Sequence, residues 1–278
     1  MRRLAIFALL GFLALAATAR TTPTGITVSL KLDETNYVVG ERVRGVIDVK
    51  NMLADKVSVG YTNSQDRMFV EVFRASDTSE LSRTSRHPFV ARFWLKSNEG
   101  QKLEVLLADH FDLSEPARYL ARPVLVHGGM RYEGQMRSFD MVPGMPISSA
   151  VQMFKNSEGH SRQFDLVHWS RQGTEHLFVM AHDTGGRGRR WITTDVGPMM
   201  RITKPTISIL PSGEVIVFHR NGADSFVRSE FWSMTDNLVL RSRRMVRDPE
   251  TAGQQKVQEM YRRQGGVKPV DRPWWKFW

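Results

Sequence analysis

The chain has 278 residues, a formal net charge of +10, 41% hydrophobic and 24% charged side chains, and no cysteine. The length allows two domains that each bury a core, and the composition excludes bulk disorder and collagen-like repeats. Without cysteine, structural disulfides, thiolate-ligated zinc, iron–sulfur clusters, thiol nucleophiles and an acylated lipoprotein cysteine are also excluded.

Arg2 and Arg3 precede an apolar run over residues 4–17, and Ala17-Thr18-Ala19 follows. That is the order of charged region, apolar region and small-residue cleavage site in a secretory signal. Residues 1–19 are therefore read as a signal peptide, and the chain as exported, periplasmic or secreted. The run is slightly short for a membrane-spanning helix, and no second run approaches that length. Export without cysteine suits a bacterial envelope protein. The signal carries two arginines and no acid, so the rest of the chain keeps a basic excess of eight. Residues 181–278 hold most of it, with 17 basic against 10 acidic side chains.

From 26 to 49 apolar and polar residues alternate, interrupted by a turn through Asn36 and Gly40. Further strands are expected at 56–61, 67–73, 89–95, 102–107, 119–127 and 135–142. Seven or eight strands in about 120 residues, with no helical stretch, predict a β-sandwich over 24–147. The strings YVVGERVRGVIDVKN (37–51) and VSVGYTNSQDRMFVEVF (57–73) carry a resemblance. They are similar to the opening of bacterial Ig-like modules of the macroglobulin and intracellular proteinase inhibitor type. Those modules share a Y-x-x-G-E-x-V strand-turn-strand and an Asn, here Asn51, that ends the third segment. FDLSEPARYLARPVLV (111–126) resembles their penultimate strand, departing from it where Pro116-Ala117 replaces the usual glycine. The resemblance implies a sandwich fold. It does not extend to inhibition, which those proteins perform through loops whose sequence is not shared.

Pro143-Gly144-Met145-Pro146 and Asn156-Ser157-Glu158-Gly159 punctuate the chain and place a domain boundary between Ile147 and Arg162. An antiparallel β module is expected over 163–247, with strands at 164–170, 176–181, 190–194, 206–210, 214–219, 225–232 and 237–243. Within it, HDTGGRGRRWITTD (182–195) and HRNGADSFVRSEFWSMTD (219–236) each run from a strand-ending His through a glycine turn to Trp-x-x-Thr-Asp. The offsets of 37 and 41 residues approach a propeller-blade repeat, and PSGEVIVFHR (211–220) resembles a hairpin of sialidase-like propellers. Two copies do not close a propeller. The fold class is thus all-β, an Ig-like sandwich followed by propeller-blade-like hairpins.

His168, His182 and His219 each end an apolar strand. If those strands are neighbours, the imidazoles converge on a divalent metal such as zinc or copper, with Asp165 and Asp183 placed to orient the rings. Otherwise each His caps its own strand in the following turn. No other cofactor is expected. G-x-S-x-G, H-E-x-x-H, Walker and dinucleotide-binding patterns are absent, which points away from an enzyme. Asp109 and Asp112 flank His110 at a spacing that serves acid–base chemistry or a solvated turn equally well.

Asp248-Pro249-Glu250 and Gly265-Gly266 read as start and stop of a helix over 248–264. The tail at 265–278 ends in Arg272, Trp274, Trp275, Lys276, Phe277 and Trp278, an aromatic, cationic set suited to partner or surface binding or to docking within the chain. The basic excess lacks the aromatic-interleaved stripe of a nucleic-acid groove. The expectation is a non-enzymatic exported binding or assembly protein of the bacterial envelope, meeting an envelope protein or an anionic polymer or lipid surface. The alternative is a metal-dependent or carbohydrate-active protein using the three histidines.

Overall fold

The computed structural model describes residues 24–60, 66–153, 161–184, 191–234 and 237–246. The expected signal peptide, the helix over 248–264 and the tail from Arg272 to Trp278 lie outside the described residues. Eighteen strands and one 3-10 turn, Leu107–Asp109, are described. The first ten strands are β1 (Ile26–Leu32), β2 (Asn36–Val38), β3 (Arg44–Asn51), β4 (Val57–Val59), β5 (Arg67–Arg74), β6 (Phe93–Leu95), β7 (Gly100–Leu106), β8 (Ala117–His127), β9 (Met130–Glu133) and β10 (Arg137–Val142). The other eight are β11 (Met145–Met153), β12 (Ser161–Arg171), β13 (Thr174–Thr184), β14 (Trp191–Pro198), β15 (Thr206–Ile209), β16 (Glu214–Arg220), β17 (Phe226–Met234) and β18 (Asn237–Val246).

The first module is a β-sandwich. Period-two alternation turns Ile26, Val28 and Leu30 of β1 and Ile47 and Val49 of β3 inward, in a sheet ordered β1-β3-β7. Facing it is a sheet ordered β2-β10-β8-β5, with β9 added to the end of β8. All its pairs are antiparallel except β2 with β10. Asn51 is fully buried, and its amide explains its place at the end of β3. Its Nδ2 donates to the carbonyls of Asp55, Leu95 and Lys96, and its Oδ1 accepts the Leu53 N–H at 2.9 Å.

The second module is also two sheets packed face to face, each a four-stranded antiparallel meander, β11-β12-β13-β14 and β15-β16-β17-β18. Phe164, Leu166, Leu177, Val179 and Ala181 from the first sheet meet Val215, Val217, Phe231 and Leu238 from the second. Arg162, buried on β12, ties the sheets together. It forms a bidentate pair with Asp183 of β13 at 2.6 and 2.8 Å and donates to Ser233 Oγ and the Met234 carbonyl of β17.

β11 falls where the sequence reads punctuation. The strand is an edge, which tolerates Pro146 because only one side of its backbone is paired, and the register slips between Pro146 and Ser148. Its pairing with β12 makes Met145–Met153 the first strand of that four-stranded sheet. The two sequence copies are not equivalent in space. Trp191 begins β14, the fourth strand of its sheet, whereas Trp232 is the seventh residue of β17, the third strand of its own.

The two modules share a wall. Six consecutive residues of β13 are buried because both of its faces are covered. Leu177, Val179 and Ala181 face the second module's core, while Phe178 and Met180, with Val167 of β12, belong to the core of the first module. Trp169 and Trp191 pack against that same core.

Candidate binding cleft at the module junction

The turn between β2 and β3 carries the Tyr-Val-Val-Gly-Glu string, and it is the point where the second module docks. Tyr37 anchors the turn. Its ring packs edge-on against Phe139 at 6.0 Å, its hydroxyl accepts the Glu34 N–H and donates to the Arg44 carbonyl, and burial pushes it up to about 12. Gly40 has φ +85°, and a Cβ there would stand 2.7 Å from both Trp191 Cβ and Thr193 Oγ1, so glycine permits both the backbone conformation and the approach of β14. Thr193 responds with two hydrogen bonds, its N–H to the Gly40 carbonyl at 3.0 Å and its hydroxyl to the Val39 carbonyl. Gly144, at φ +69°, passes the other crossing, where a Cβ would meet Val167 Cγ2 at 2.8 Å.

Beside Gly40 lies a half-buried ionic chain that starts at the buried Glu41. The Glu41 carboxylate accepts the Val38 N–H at 2.6 Å and Arg171 Nη2 at 2.8 Å. Arg171 Nη1 donates to Asp195 at 3.1 Å, and Asp195 also contacts His176 Nδ1 at 2.9 Å and accepts the Gly197 N–H at 2.7 Å. Burial pushes the Glu41 carboxyl up to about 7, even with Arg171 and the Val38 N–H drawing it down. The chain therefore links the modules through a carboxyl that titrates near neutrality.

Above this floor opens a cleft of about 1600 Å³ framed by both modules. The first module supplies the 33–44 turn and the loops at 84–88 and 108–114; the second supplies β14 from Trp191 to Asp195 and the start of β18 from Asn237 to Leu240. Arg42, Arg44 and Arg86 stand exposed on its first-module side, with Asp33, Glu34, Asp109 and Asp112 on the same wall. His110 is stacked on Phe89 at 4.0 Å, and burial followed by the nearby Arg83 guanidinium holds it below the usual imidazole range. Asp112 accepts the Ser114 N–H at 3.0 Å, so it closes a turn. The arrangement offers polar and charged groups of both signs over a large opening.

The three sequence-selected histidines are not brought together. His168, opposite Leu177, faces the second module's core, whereas His182, opposite Trp191 and 4.2 Å from its ring, faces the first module from the other side of the same sheet. His219 sits on the facing sheet, contacting the Pro198 carbonyl through Nε2 at 3.1 Å, and burial pushes it down to about 4. Among the described residues no group of three His, Asp or Glu side chains is placed to hold a metal ion. Asp183 pairs with Arg162, and Asp165 accepts Ser149 and Gln163 and lies 3.9 Å from His182 Nδ1. The tail residues Arg272, Trp274, Trp275, Lys276, Phe277 and Trp278 lie outside the described residues. Sequence reasoning missed Glu41, Arg171, Asp195 and His176. The available signal was a Gly-Glu pair in a turn otherwise explained as strand punctuation.

No protein-family model matches the chain, and no curated protein matches it. Among solved structures, the sporulation control protein Spo0M of Bacillus subtilis aligns at 11% identity and a TM-score of 0.31, covering 86% of this chain and 97% of that one. The C-terminal domain of the antigen I/II-family protein AspA of Streptococcus pyogenes aligns at 8% identity and a TM-score of 0.27, covering 80% of this chain and 99% of that one. At these scores neither likeness bears on the function of this all-β chain.

Proposed function

We propose that this chain is a non-enzymatic, exported binding or assembly protein of the bacterial envelope, whose first module is of the Ig-like macroglobulin and inhibitor type. The observation that carries the reading is the cleft of about 1600 Å³ framed by two modules that share a wall. A shared wall fixes the cleft's two sides relative to one another, and a preformed site loses less entropy on binding. The secretory pattern at 1–19, the basic excess and the aromatic tail support an envelope setting with an envelope protein or an anionic polymer or lipid surface as partner.

The test is retention of envelope components by residues 20–278 at low and moderate salt, alongside a cleft variant (Arg42→Glu with Arg86→Glu) and a variant ending before Arg272. Retention at moderate salt that is lost in the cleft or tail variant supports the reading. No retention, or retention indifferent to both changes, overturns it. The metal-dependent alternative through His168, His182 and His219 has no observation in its favour, and the metal content of the purified chain before and after changing all three to Ala tests it.

A further inference from the structure

We infer that the open edge of β18 is a docking edge for an extended acidic peptide segment of a partner protein, which would pair as an added strand beside β18. This deepens the binding reading above and rests on it. β18 is the last strand in its sheet's order, ten residues long, and among the described residues no strand pairs with its outer side. Exposed edges of this length present a row of N–H and C=O groups to any chain that can pair with them. One end of the strand, from Asn237 to Leu240, lines the cleft, so a bound strand would run out of the cleft along the sheet.

The side chains select the partner. Val239, Leu240 and Met245 are 39%, 41% and 71% exposed, and Trp232 and Met234 of the adjoining β17 are exposed beside them. This hairpin therefore concentrates apolar surface that its own sheet does not cover. Between those apolar positions stand Arg241, Arg243 and Arg244. Arg241 is held by Glu214 at 2.7 Å and lies over the Trp232 ring. Arg243, beside Gly197 of β14, and Arg244, opposite Arg228, have no carboxylate within ion-pair distance among the described residues. Arg228 is already matched by Glu230 at 2.9 Å, which leaves the row at Arg244 in positive excess. Two copies pairing through β18 would set arginine-rich strands side by side, whereas a strand with neighbouring acidic residues would meet Arg243 on one face and Arg244 on the other.

The experiment uses residues 20–278 and three labelled decapeptides: one in which pairs of neighbouring glutamates alternate with pairs of valines, the same peptide N-methylated along one edge, and the same peptide with lysine in place of each glutamate. Binding is read by fluorescence anisotropy and location by amide hydrogen exchange. The inference predicts that the acidic peptide binds and slows exchange within 238–246, that the other two do not bind, and that Arg243→Glu with Arg244→Glu weakens the acidic peptide by at least about tenfold while admitting the lysine peptide. Arg243→Lys with Arg244→Lys retains the acidic peptide, separating charge from misfolding. Absence of binding, equal binding of the N-methylated peptide, or outward-facing β18 amides already protected in the free chain overturns the inference. If the glutamate variant retains envelope components as well as the unaltered chain does, the edge is wrong while the broader binding reading stands.

Discussion

At Asn51 one buried amide satisfies three carbonyls and one N–H, so the residue singled out by resemblance has a physical role, which is to hold the bend after β3 against the end of β6. Asn51→Ala leaves those backbone groups buried and unmatched, and equilibrium denaturation is expected to show a loss of about 2–4 kcal/mol. Two other buried residues give opposite pH dependences. For Glu41 the folded carboxyl titrates at about 7 against an ordinary value of 4.5. Its contribution is thus fully present below 4.5 and is lost as pH rises through about 7, by roughly 3 kcal/mol at most. For His219 the folded value of about 4 lies below 6.5, so its contribution is present above 6.5 and lost as pH falls through about 4. Relative to the unaltered chain, Glu41→Gln should lower the melting midpoint at pH 5 against that at pH 8, because only the opposing His219 dependence remains, and His219→Gln should reduce the acid loss below pH 6.5. A Glu41→Gln profile parallel to that of the unaltered chain would contradict the assigned carboxyl.

At the scale of elements, strand alternation made most of the sheets readable in advance. Ile26, Val28 and Leu30 place β1 by period two, and the continuous apolar run of β13 reads as a strand without distinguishing its two faces. What the pattern could not say is which module covers each face, because that depends on a partner about 140 residues away, the Val38-Val39-Gly40 turn. β11 was hidden for a different reason: Pro146 and Gly144 are turn residues in a central strand but tolerable at the entry of an edge strand. The histidines were visible as strand ends, yet alternation alone puts His168 and His182 on opposite faces once their register is known. Gly40→Ala combines a positive φ with a 2.7 Å approach to β14, and the expected loss of about 2–4 kcal/mol should be accompanied by faster hydrogen exchange at Thr193. An unchanged Thr193 amide would show that β14 does not depend on that turn. Removal of the Arg162 side chain, by Arg162→Ala, should destabilise the second module by about 2–4 kcal/mol, because the Ser233 and Met234 groups lose their donor.

For the whole molecule, the decisive feature is that the outer face of the β11–β14 sheet packs into the core of the first module. The shared wall of β12 and β13 makes the junction a core rather than a linker, and it is this core that holds the cleft's two sides, the Glu41 chain at its floor and the β18 edge at its rim in one arrangement. Composition and alternation were enough for a basic, all-β chain but carried no sign of this packing, since Phe178 and Met180 look like ordinary core residues of their own strand. The measurement that tests this most directly is hydrogen exchange of both modules in Phe178→Ala, a substitution expected to remove about 3–5 kcal/mol. A shared core predicts that amides of the first module, in β3, β8 and β10, lose protection together with those of β12 and β13, in a single cooperative unfolding transition. Loss of protection confined to the second module, with the first unfolding unchanged in a separate transition, would contradict it.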